Sequence, residues 1–195
     1  MELSNFISEI NLPKNYVNIL FENGFDNLEI LINQTKNGVA LSEQNLKDIG
    51  INLNGDRAKI LIHLEELAGK YPFLLEKNII YSNTIEENKN NSLYKFLASI
   101  DLEGYIHLFY DKGYYNAELL YIQMITKNPI TEEILKNEFG IDKIGYVKRI
   151  MLNLITCSQN YIKRLQNRNT DNNYYKSIVF DSNPYMKACE ACLIF

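Results

Sequence analysis

The 195-residue chain has no tryptophan, two histidines and three cysteines, Cys157, Cys189 and Cys192. So small and odd a cysteine count cannot pair fully inside the chain, which excludes a disulfide scaffold and suits a reducing compartment. Nowhere do 18 or more apolar residues run together, and Met1-Glu2-Leu3-Ser4-Asn5 lacks the basic flank and apolar run of a secretory signal. The expectation is a cytoplasmic chain without a membrane span. Positive charge is not in excess either: 24 acidic and 20 basic residues leave −4, so no global field recruits nucleic acid. Catalytic signatures are missing as well. There is no P-loop, GxGxxG or HExxH, and His63 and His107 stand apart from any nucleophile or metal pair. Carboxylates are scattered over helix surfaces. The chain is read as no enzyme, with no cofactor, metal or small-molecule substrate.

What is present is ordinary globular composition, 46% hydrophobic and 23% charged, and an internal repeat. Gly50-Ile51 followed by Gly55 matches Gly140-Ile141 followed by Gly145, while Tyr16, Gly24 and Phe25 match Tyr105, Gly113 and Tyr114. The copies span roughly 3 to 68 and 92 to 157. Helix punctuation is legible in both. In the first, Ser4, Asp26 and Ser42 are expected caps, Pro13 stands near a helix start, and Gly24 and Gly50 are stops. A fifth helix begins near Asn54, with Ile60, Leu61, Leu64, Leu67 and Ala68 on one face. In the second, Asn116 and Thr131 are caps and Gly113 and Gly140 stops. The stripe Val147, Ile150, Met151 and Leu154 continues in register through Tyr161, Ile162 and Leu165, which predicts an overlong last helix. The period is 3.6 throughout, so the fold is read as all-α: two five-helix bundles in tandem, residues 1–68 and 92–165. Tyr71, Phe73, Leu74, Leu75, Ile79, Ile80 and Tyr81 give the connector 69–91 apolar surface with which to pack, and residues 166–195 read as a disordered tail.

The run Leu46-Lys47-Asp48-Ile49-Gly50-Ile51, then Gly55-Asp56-Arg57-Ala58-Lys59-Ile60-Leu61, resembles the signature of the sterile alpha motif (SAM) family. Leu12, Tyr16, Phe21, Asn23, Gly24 and Phe25 resemble that family's second helix. Copy two keeps Tyr105, Phe109, Gly113, Phe139-Gly140-Ile141, Gly145 and Ile150, with Tyr146 and Val147 where copy one has Asp56 and Arg57. The resemblance implies a protein-interaction module. In the family, an acidic middle surface of one domain meets the basic start of helix five on another, a contact that can extend. Carried over, the helix-five surface is Gly55, Arg57 and Lys59. The acidic counterparts are Asp26, Glu29, Glu43 and Asp48 in copy one, or Asp111, Glu118, Glu132 and Glu133 in copy two. The expected partners are other SAM domains or a second copy of the chain.

Cys192-Leu193-Ile194-Phe195 has the form of a prenylation signal, and a terminal Phe favours geranylgeranyl on Cys192. Cys189 can carry a palmitoyl chain as a second anchor. It also forms a CxxC with Cys192, a weak zinc pattern without a second pair or a histidine nearby. The reading is a membrane-tethered tandem adaptor. Basic residues gather late, at Lys143, Lys148, Arg149, Lys163, Arg164 and Arg168. Some SAM domains bind RNA hairpins through a basic face, so RNA binding through this cluster is the alternative function, with attraction to anionic lipid the blander reading of the same charges.

Overall fold

The computed structural model describes residues 2–69, 81 and 91–168, with side chains up to Leu165. Among the described residues there are ten α-helices, one 3-10 turn and no strand. The first half comprises α1 (Leu3–Glu9), α2 (Asn15–Glu22), α3 (Leu28–Lys36), α4 (Glu43–Asp48) and α5 (Asn54–Leu67). The second comprises α6 (Ser92–Ala98), a 3-10 turn (Glu103–Tyr105), α7 (Ile106–Tyr110), α8 (Ala117–Gln123), α9 (Glu132–Asn137) and α10 (Ile144–Arg168). The all-α reading holds.

Most boundaries follow the expected chemistry. Ser42 caps α4 in a reciprocal box with Asn45, and Asn116 and Thr131 accept from backbone amides at the starts of α8 and α9. We expect Ser42→Ala to lower the unfolding free energy by about 1 kcal/mol, read from the denaturant midpoint. Two caps differ from expectation. Ser4 lies inside α1, which starts after Glu2. Asn27 rather than Asp26 caps α3, its side-chain oxygen accepting from the amides of Glu29 and Ile30 at 3.0 and 3.2 Å.

Helix α5 departs most from its apolar stripe. Ile60, Leu61 and Leu64 are buried as expected, but every residue from Asn54 to Glu65 is buried with them. A helix buried all round lies between layers. Accordingly α5 packs on α3 and α4 of its own half and on α8 of the other. Apolar side chains from both halves form one contiguous core, Phe6, Leu46 and Ile60 together with Leu120, Leu135 and Ile150. In α10, Tyr161, Ile162 and Leu165 are buried. The helix continues to Arg168, past the boundary expected at 165. Of the connector, Tyr81 is described: it is buried edge-on to His63, and its carbonyl accepts from Asn11 at 3.2 Å. The other connector residues and the tail beyond Arg168 lie outside the described residues.

Candidate protein-interaction interface

The polar side of α5 is where the halves meet. At a helix start the first amides have no partner within the helix, and here the Gly55 amide donates across the chain to the Lys112 carbonyl at 2.7 Å. The Lys112–Tyr115 turn closes α7, with Gly113 left-handed at φ +84°. Glycine is required on both sides. A Cβ on Gly55 would stand 2.9 Å from the Lys112 oxygen and closer still to that of Gly113. Tyr114, fully buried, places its hydroxyl between the side-chain amides of Asn54 in the first half and Gln123 in the second.

Three positive and three negative side chains are interleaved along this seam. Arg57 has no exposed surface. Its guanidinium reaches Glu43 at 3.0 Å, Glu138 at 2.8 Å and the carbonyls of Ile51 and Asn52 at 3.1 and 2.7 Å. Lys47 meets Glu138 from the solvent side at 3.0 Å. Burial pushes the Glu138 carboxyl up, but the hydrogen bonds from Lys47 and Arg57 outweigh that and hold it below the usual range. Asp56 accepts from the Tyr16 hydroxyl at 2.8 Å. Its carboxyl is raised by burial, partly offset by Tyr16, Lys59 and Arg57. Lys59, also fully buried, lies 5.5 Å above the centroid of the Tyr115 ring.

Burial lowers the Lys59 ammonium to about 8, against the opposing pull of Asp56. Between there and its unfolded value the denatured chain holds more protons than the folded one, so stability rises with pH. Titrating unfolding from pH 8 to 10 should show a gain of about 2 kcal/mol from this group. Lys59→Met should remove the slope. An identical slope in the variant would assign it elsewhere.

The residues named from sequence are thus partly relocated. Gly55, Arg57 and Lys59 do form an interface, but they are buried against the second half of the same chain and are not presented to another molecule. The reason is charge: each cation on this face of α5 has a carboxylate or an aromatic ring supplied within the chain. Of the acidic candidates, Glu43 is brought to Arg57. Glu118 accepts from Ser92, and Glu132 pairs with Lys148 at 2.5 Å. Asp26, Glu29, Asp48, Asp111 and Glu133 are exposed. Glu138, Asn54 and the Lys112–Tyr115 turn were not foreseen. A signal for Glu138 existed, since the repeat aligns it with Asp48, which was named. Cys189 and Cys192 lie outside the described residues, and Cys157 is a half-buried free thiol. Among the described residues no helix is long and apolar enough to cross a membrane, and no group of acidic, histidine and cysteine side chains could hold a metal.

Residues 2–68 match the SAM domain (sterile alpha motif) family, a helical protein-interaction module. No curated protein and no solved structure matches the chain.

Proposed function

We propose that the chain is a membrane-tethered tandem adaptor, and that residues 92–165 are a second SAM-like copy. Equivalent devices in the two halves support the second copy: caps at Asn27 and Asn116 and at Ser42 and Thr131, and left-handed glycines at Gly24 and Gly113 and at Gly50 and Gly140.

The observation that carries the adaptor reading is the seam itself, in which a turn of one half is seated on the α5 start of the other. Bundles of this kind therefore have complementary surfaces, and one pair is still open. The Gly24 turn is exposed and flanked by Phe21, Glu22, Asp26 and Glu29. The start of α10 is exposed at Ile144 and Gly145, where an added Cβ would meet nothing. Glycine in a helix costs roughly 0.5–1 kcal/mol relative to alanine, and nothing among the described residues requires one at Gly145. The open turn suits the helix start of another SAM domain or of a second copy. Sedimentation velocity should show concentration-dependent association, lost in Phe21→Asp with Asp26→Lys. A monomer at every concentration, with no SAM partner bound, would sink the reading.

The tether rests on Cys192-Leu193-Ile194-Phe195 and requires Phe195 to be the last residue of the encoded chain. Geranylgeranyl on Cys192, with palmitate on Cys189 as a second anchor, would hold a peripheral protein at a membrane. Intact-mass measurement of the C-terminal peptide from a eukaryotic host tests both modifications. Cys192→Ser should move the protein to the soluble fraction, and continued membrane fractionation would defeat the tether.

A further inference from the structure

Helix α10 carries five cations, Lys148, Arg149, Lys163, Arg164 and Arg168, and no carboxylate along its 25 residues, within a chain whose net charge is −4. At 100° per residue Lys148, Leu152, Lys163 and Arg149 fall within one arc of about 100°. All four are exposed, Leu152 at 65%. The neighbouring groups do not cancel this charge. Glu132 pairs with Lys148 but both remain partly in water, and Asp142 precedes the helix. Arg149 donates to the Ile100 carbonyl at 2.8 Å and lies over the Tyr146 ring, with its charge intact.

We propose that this face of α10 docks on an anionic phospholipid surface. Two features favour lipid over RNA as the polyanion. Leu152 projects among the cations, as an apolar residue does when it enters the boundary beneath a headgroup layer. Single-stranded RNA is gripped by free aromatic faces, whereas here Tyr161 is buried and the half-buried Tyr146 ring is covered by Lys143 and Arg149. The chain from Arg168 to Cys192 spans at most roughly 80 Å when extended, so a lipid on Cys192 would keep α10 within reach of the same bilayer. The inference takes its setting from the tether reading. The docking itself needs no lipid on the protein, and the test therefore uses unmodified full-length chain.

Co-sedimentation with phosphatidylcholine vesicles containing about one third phosphatidylserine should show binding that pure phosphatidylcholine does not support. Each cation near such a surface is worth about fivefold in affinity, so Lys148→Gln with Lys163→Gln should weaken binding about 25-fold. Leu152→Asn should remove the part that persists at high salt. Circular dichroism should show both variants folded. Equal binding to neutral vesicles, or indifference to the lysine pair, would overturn the proposal. So would tighter binding to an RNA hairpin with the same dependence on Lys148 and Lys163, which would make the face a nucleic-acid surface. Failure here would leave the Cys192→Ser fractionation to decide the tether alone.

Discussion

Arg57→Met is expected to lower the stability of the whole chain by about 3–5 kcal/mol, although arginine at a helix start ordinarily reads as a solvated surface residue. Its guanidinium satisfies four acceptors at once: Glu43, Glu138 and the carbonyls of Ile51 and Asn52. Removing it leaves two carboxylates facing each other at the edge of the seam and two backbone oxygens without that donor. Most of the cost is this orphaned polarity rather than any large net value of the ion pairs. Domains are stable by about 5–15 kcal/mol, so the loss takes a large share of the total. Reversal to Glu would add a third carboxylate. Charge reversal at Arg57 is therefore expected to disturb the fold itself as well as any contact made through it. Denaturant unfolding followed by far-ultraviolet circular dichroism reads the effect, and a midpoint like that of the parent chain would place Arg57 outside the seam.

Gly55→Val is expected to cost roughly 3 kcal/mol. The obstruction is backbone, since the new side chain meets the Lys112 and Gly113 carbonyls, which cannot rotate aside as a side chain would. It would also part the Gly55 amide from Lys112. Gly145→Val is the internal control: it occupies the equivalent position with open space around it and should leave the monomer's stability within about 1 kcal/mol. Loss of stability at Gly55 with near-neutrality at Gly145 separates a seam effect from helix propensity. Equal losses at the two would point to propensity alone.

Local chemistry made much of the fold legible. Ser42, Asn116 and Thr131 cap helices because short polar side chains satisfy amides left over at helix starts, a requirement that involves nothing distant in sequence. Asp26 and Asn27 differ by one position, and only the chain's entry angle decides which oxygen reaches the amides. Hydrophobic periodicity failed differently at α5. It found Ile60, Leu61 and Leu64, because water expels them, and was silent on Asp56, Arg57 and Lys59. Polar residues are buried only when partners meet them, and two of these partners, Glu138 and Tyr115, lie on the other half of the chain. The residues by which the first half makes contact, Gly55, Arg57 and Lys59, were visible in sequence. That the contact closes within one molecule depends on how the two halves pack together, which no local pattern records.

A double-mutant cycle between Arg57→Met and Glu138→Gln tests this most directly, using unfolding free energies measured at protein concentrations where the chain sediments as a monomer. If the α5 start of the first half is satisfied by the second half of the same molecule, the two substitutions will be coupled by about 1–3 kcal/mol at every dilution. Additive effects, or coupling that appears only as molecules associate, would show that Arg57 and Glu138 do not meet within one chain.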